Sequence, residues 1–292
     1  MKHSARILLA SATLLASQQA NAILMATQGD APETDPALST VVDDTGSSAG
    51  TIRQIAKFDV AKMTGASVGL ELTQTTQSNL YYIPLGFTLN HFDSGVLELA
   101  LKLSYAADNE AFKTNQPTTS GISDTVVGLN YYSRSADTVI RTSFSLKFGT
   151  GEFDDQLGSE SDDVIASIFA RKAMGGFAIK GNAGYVLRGD GPNDLDYGDS
   201  FILKAGVEFD ASKNVLIGAD ITYTDTDDSA FPNGSIPLIG ITTTDFALFF
   251  DYQIDASTGL YARVSSPVSE DVTTGTAPDR DTTVSFGFST RY

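Results

Sequence analysis

The chain closes on Thr282-Thr283-Val284-Ser285-Phe286-Gly287-Phe288-Ser289-Thr290-Arg291-Tyr292. In an extended strand Val284, Phe286, Phe288 and Tyr292 fall on one face, with Thr290 among them, while Ser285, Gly287, Ser289 and Arg291 fall on the other. One face suits hydrocarbon and the other suits water. A terminal strand of this kind, ending in an aromatic residue, has the form of the closing strand of an outer-membrane β-barrel. There it must pair with the first strand, because an open edge in lipid leaves backbone N–H and C=O groups unsatisfied.

Working back from this strand, the same two-residue alternation recurs in segments of about ten residues, the length of a tilted membrane-spanning strand. In residues 96–105, Leu97, Leu99, Leu101, Leu103 and Tyr105 oppose Glu98, Ala100, Lys102 and Ser104. Ile140, Thr142, Phe144, Leu146 and Phe148 oppose Arg141, Ser143, Ser145 and Lys147. Residues 201–209, 215–223 and 246–252 repeat the pattern, and weaker versions run through 66–76, 80–92, 123–132, 162–172, 177–188 and 258–265. With the closing strand this gives about twelve. The expected fold is all-β, an antiparallel transmembrane β-barrel.

The connections test that reading, since bacterial barrels carry short periplasmic turns and longer extracellular loops. Short turns are expected at 93–95, 133–136, 173–176, 210–213 and 255–257. Long loops are expected at 107–121, 149–161, 189–198, 225–240 and 267–281, with only the first outer connection, near Gln77, short. A soluble β-sandwich or lipocalin would need two-sided burial or fewer strands. Tyr81, Tyr105, Phe148, Tyr185, Tyr223, Tyr252 and Tyr292 fall toward strand ends on the apolar face, where interfacial girdles form.

The N-terminus carries Lys2, His3 and Arg6, an apolar run from Ile7 to Ala16, and Ala20-Asn21-Ala22, the small-x-small pattern of a signal-peptidase site. Residues 1–22 therefore read as a secretory signal, 23–64 as a flexible periplasmic leader and 65–292 as the barrel. Within the leader, Ile52, Ile55, Ala56 and Phe58 have loosely helical spacing, so a short plug and a plain linker both stay open. Cysteine is absent, which removes disulfides, thiol metal sites and lipoprotein attachment. The formal charge of −17 becomes two units more negative once Lys2 and Arg6 leave with the signal. Such an acidic chain offers no basic patch for nucleic acid.

The candidate functional residues are the charges on the polar face: Glu98, Lys102, Arg141, Lys147, Arg171, Lys180, Lys204, Glu208, Asp220, Asp245, Asp251, Arg263 and Arg291, with Glu71 and Asp163 in the same pattern. Charges inside a barrel are either solvated or paired, and a subset can set the selectivity of a pore. The carboxylate-rich outer loops, among them Asp154-Asp155, Asp227-Asp228 and Glu270-Asp271, form a negative surface that can bridge divalent ions to lipopolysaccharide. They do not follow the spacing of a calcium-binding loop. Catalysis has little support: His91 is the one histidine outside residues 1–22, expected on the lipid side near a short turn, and no G-x-S-x-G motif accompanies it. Gly149-Thr150-Gly151 lacks the Lys and helix of a phosphate-binding loop. No enzyme activity, cofactor or metal is expected.

Gly121-Ile122-Ser123-Asp124 followed by Gly128-Leu129-Asn130-Tyr131 resembles a G-[LI]-x-D…G-L-x-Y strand of the outer-membrane MetA pathway of phenol degradation family. Lys147-Phe148-Gly149-Thr150-Gly151, then Leu157-Gly158-Ser159 and Asp162-Asp163, resemble its next hairpin, and Gly181-Asn182-Ala183-Gly184-Tyr185 its N-x-G-Y strand. The usual P-T-G-D loop start is replaced by Phe148-Gly149-Thr150-Gly151-Glu152, and Leu157-Gly158 is followed by Ser-Glu. The resemblance implies an outer-membrane barrel of a Gram-negative bacterium that transports small aromatic or other hydrophobic compounds. The expected function is passive diffusion of small molecules through a narrow, porin-like lumen, with acidic loops favouring cations or neutral solutes over anions. The alternative is a closed structural or adhesion barrel acting through those loops. Expected partners are outer-membrane lipid and lipopolysaccharide, a small-molecule solute, and the barrel-assembly machinery reading residues 282–292.

Overall fold

The structure, a computed structural model, describes residues 65–74, 78–108, 120–135, 137–151, 160–191, 195–196, 198–230, 237–238, 240–255, 257–272 and 282–292. The proposed signal and leader, including the stretch considered as a plug, lie outside the described residues. Twelve long strands carry the fold. They are β1 (Ala66–Gln74), β2 (Ser78–Phe92), β3 (Gly95–Asp108), β4 (Thr125–Ser135), β5 (Thr138–Phe148) and β6 (Asp163–Met174), followed by β7 (Phe177–Leu187), β8 (Ser200–Ser212), β9 (Val215–Thr226), β10 (Ile241–Gln253), β11 (Thr258–Val272) and β12 (Thr283–Arg291). Each pairs antiparallel with the next, and β1 pairs with β12, closing the sheet on itself.

Closure is what hydrocarbon demands of a sheet, because it leaves no unpaired edge. The register of the last seam, Ser67↔Arg291 through Gln74↔Val284, puts Phe286 and Phe288 on the outer face with Leu72 and Leu70. Burial is inverted relative to a soluble protein. Leu70, Phe144 and Leu248 are 53%, 51% and 57% exposed, whereas Glu98, Arg141 and Asp220 on the other face are 2%, 1% and 3% exposed. A contiguous apolar exterior of this size requires lipid around it. Aromatic residues collect near both rims: Tyr81 faces Tyr105 at the loop end, while Phe92 meets Tyr131 and Phe177 stacks with Phe209 at the turn end.

The turns are as short as their sequences suggest. Gly175, at φ 74°, and Gly176 join β6 to β7 in two residues, a conformation that favours glycine at the first position. Between β10 and β11 the carboxylate of Asp255 accepts the N–H groups of Ser257 and Thr258 at 2.8 and 2.9 Å and the Ser257 hydroxyl at 2.9 Å. The Ser257 backbone N–H, more than any other contact, holds this exposed carboxyl below its ordinary value of 3.8. A depressed pKa contributes stability above the unfolded value that is lost as pH falls through the folded one. Asp255→Ala is therefore expected to lower the urea midpoint of the barrel at pH 7. The gap to wild type should narrow only as the pH is taken well below 3.8; a gap that persists there would sink the assignment.

Three features depart from the sequence reading. Strand β11 runs on to Val272, although residues 267–281 read as loop: Pro267 and Val268 sit at a bulge opposite Thr244 and Asp245, which breaks the period of two and accommodates the missing N–H. Another bulge, between Thr88 and Asn90, flips the end of β2, so His91 pairs with Val96 and shares its inner face rather than the lipid face. The long connections also carry structure of their own. Ser120–Ile122 prolongs the pairing with β3, and Asp190–Gly191, Leu195–Asp196, Ser229–Ala230 and Pro237–Leu238 form a small sheet joining two loops at the rim.

Candidate functional site

The inner wall is a chain of ion pairs rather than an array of isolated charges. At the turn end, the Arg291 guanidinium of β12 reaches over β1 and β2 to donate to Glu98 of β3 at 2.6 Å. Glu98 also accepts from Tyr132 Oη at 3.1 Å and from Asn130 Nδ2 at 3.4 Å, and Asn130 in turn accepts from Ser143 at 2.7 Å. The sequence makes room for this span. A Cβ on Gly86 would lie 2.5 Å from Ser67 Oγ and 3.0 Å from Glu98 Oε2, so only a bare backbone at that position lets the pair lie flat.

At the loop end, the Lys147 ammonium stands 2.8 Å from Asp163 and 3.3 Å from Asp124, all three side chains 0–2% exposed. These carboxylates also tie down the loops. Asp163 accepts from the Ser161 hydroxyl at 2.5 Å and the Gly189 N–H at 3.3 Å, Asp124 accepts from the Gly151 N–H at 3.2 Å, and Thr150 donates to the Ser123 carbonyl at 2.8 Å. Asp124, Lys147, Gly151 and Asp163, all in the residue 121–163 motifs, thus meet in one clamp.

The third cluster crosses the wall from β6 to β11. Arg171 pairs with Glu208 at 2.7 Å and Lys180 with the other oxygen of Glu208 at 3.2 Å. Arg263 holds both oxygens of Asp220, at 3.0 and 2.9 Å, and the ammonium groups of Lys180 and Lys204 stand 3.8 Å from the same carboxylate. Lys102 lies over the ring of Tyr82 at 3.9 Å, Arg141 over Phe169 at 5.6 Å and Lys180 over Phe249 at 3.7 Å, all within cation–π range. Asp245 and Asp251 sit half-buried on the inner face of β10, and Glu71 is half-buried on β1.

Two groups of inner residues escaped the sequence reading. Asp124 was read only as part of a strand motif and not among the lumen charges, though it keeps the alternation of Val126, Gly128 and Asn130. The inward rings of Tyr82, Tyr132, Phe169, Phe249 and Tyr261, and the buried apolar clusters Leu80–Tyr82–Ala106 and Ile165–Val186–Ile202 at the loop end, contradict a uniformly polar interior. Parity carried the signal: Phe169 falls between Ser167 and Arg171 in strict alternation.

A closed twelve-stranded antiparallel barrel with an apolar belt outside and ion pairs inside is the architecture of an outer-membrane β-barrel. No protein-family profile and no curated protein matches the sequence. Among solved structures the chain is similar to the COG4313 outer membrane channel from Pseudomonas putida F1, at 14% identity and a TM-score of 0.67, over 78% of this chain and 96% of that one. It is also similar to the NanC porin, at 10% identity and a TM-score of 0.50, over 78% of this chain and all of the other. At such identities the likeness is one of fold.

Proposed function

We propose that the chain is a narrow channel for passive diffusion of small solutes across an outer membrane. The observation that carries this reading is an inner wall that carries clusters of charged side chains from Arg291 at the turn end to Asp163 at the loop end, in a fold shared with an outer-membrane channel. Twelve strands lie between barrels of eight, filled by side chains, and open porins of sixteen. Small aromatic or hydrophobic solutes follow from the resemblance to the MetA-pathway family, whose motif residues build the loop-end clamp. We further propose that residues 1–22 are removed on export, that 23–64 remain as a periplasmic leader, that the acidic loops face lipopolysaccharide and that the assembly machinery reads residues 282–292.

A second reading, a closed barrel acting through its loops, is favoured by one specific observation: the side chains of Lys147, Asp124, Asp163 and Asp220 are 0–2% exposed, so parts of the wall are packed shut. Planar-bilayer recordings of the refolded, signal-free protein separate the two. The channel predicts steady single-channel steps; silence from a correctly folded, heat-modifiable barrel overturns it in favour of the loop-displaying reading.

A further inference from the structure

Side chains fill the inner wall unevenly. Across β3, β4 and β5 the register aligns Ala100 with Gly128 and Gly128 with Ser145, an inward-facing row with almost no side chain, and Gly86 of β2 continues it on one side. The next row toward the turn end is Glu98, Asn130 and Ser143, and the next toward the loop end is Lys102, Val126 and Lys147. The small residues therefore form a recess between the Glu98 network and the Lys147 clamp. Ala100, Ser143 and Ser145 are half-buried, whereas Glu98, Asn130, Arg141 and Lys147 around them are only 1–2% exposed. Small size and access to the lumen thus coincide.

The wall across the lumen is built the other way. In a ring of twelve strands, β9 to β11 stand opposite β3 to β5. There the Phe249 ring lies where a side chain on Gly218 would go, with the Lys180 ammonium over it at 3.7 Å, and the Tyr261 ring covers Gly287 of β12. Arg263 spans to both oxygens of Asp220, at 3.0 and 2.9 Å. The inner glycines make the contrast plain. Gly86, Gly206, Gly218 and Gly287 lie against Glu98, Lys180, Phe249 and Tyr261, whereas a Cβ on Gly128 would meet first the Ser145 side chain and then backbone. One wall is thickened by long side chains and the other is thin, so the space inside the barrel lies off its axis, against β3 to β5.

We propose that Ala100, Gly128, Ser143 and Ser145 form the open side of the lumen, and that the Ala100 and Ser145 side chains set the width available to a solute. None of the four carries a charge, so the recess discriminates by size. Ser143 gives its hydroxyl to Asn130 at 2.7 Å, and the Ser145 hydroxyl is the polar group that a solute meets in the narrowest row. The inference rests on the channel reading for permeation, but the openness of the recess is testable without it.

The chain has no cysteine, so single cysteines report without background. Ser145→Cys, Ala100→Cys and the reference Ser285→Cys are refolded and treated with 2-hydroxyethyl methanethiosulfonate, a neutral thiol reagent; labelling is followed by intact mass and conductance in planar bilayers. Ser285 also faces inward, on β12, but is 4% exposed and hydrogen-bonded to Thr73 at 2.9 Å. Ser145→Cys and Ala100→Cys are expected to react about tenfold faster than Ser285→Cys, and the added group to lower their conductance by about half or more. The bulk is added after folding, so misfolding cannot mimic the block. In a conducting barrel, Ser145→Cys and Ala100→Cys that react no faster than Ser285→Cys, react only once urea has unfolded them, or react without a fall in conductance would overturn the proposal and leave the channel standing. In a barrel that conducts nothing, fast labelling of these two variants overturns the channel and keeps the open recess, and slow labelling overturns both.

Discussion

Lys147→Met is expected to lower barrel stability by roughly 3–5 kcal/mol, the range for breaking a buried ion pair by removing one partner. The lysine is the shared counter-charge of Asp124 and Asp163 at 3.3 and 2.8 Å, and none of the three side chains is more than 2% exposed. Without it two carboxylates face each other in a packed wall. Lys147→Met/Asp163→Asn should recover much of the loss, because an amide oxygen can still accept from Ser161 and Gly189 while one charge is removed. The measurement is the urea midpoint of the refolded barrel, followed by its heat-modifiable gel shift. A single variant as stable as wild type, or a double variant no better than the single, would show that the clamp does not depend on this ammonium.

The barrel was legible in the sequence because its outer face is monotonous. Leu97, Leu99, Leu101, Leu103 and Tyr105 all face lipid, a low-resolution requirement that any apolar side chain satisfies, so the period of two survives in the residue types. The inner face has no such uniformity. Its alternation placed Glu98, Arg141, Arg171 and Arg263, but the partners of these charges depend on register accumulated over several strands, as between Arg291 and Glu98 or Arg263 and Asp220. Local pattern also fails at bulges. One extra residue near Leu89 turned His91 inward, and Pro267 with Val268 disguised a strand as a loop. The inward rings were missed for a chemical reason: a polar lumen was expected, yet cations stacked on aromatic faces satisfy both the charge and the packing.

Glu98→Ala is expected to loosen the barrel at its closing seam rather than throughout, at a cost of about 2–4 kcal/mol. Glu98 is the acceptor on which Arg291, Tyr132 and Asn130 converge, and its pair with Arg291 lies across β1 and β2. Those two strands need the support. Their register pairs Val68 with Leu85 and Glu71 with Tyr82 but skips Gly69 and Leu70, where Pro84 has no N–H to give the ladder. Strand β1 is also among the shortest in the wall, nine residues against fifteen in β2. With the strap gone, amide exchange in β1 and β12 should accelerate while β6, β7 and β8, tied by the Glu208 and Asp220 clusters, remain protected. Glu98→Gln separates charge from geometry: it keeps acceptors for Tyr132 and Asn130 while removing the anion facing Arg291, so it should fall between alanine and wild type. Exchange that rises evenly around the barrel in Glu98→Ala would show that this carboxylate contributes general stability and does not strap the seam.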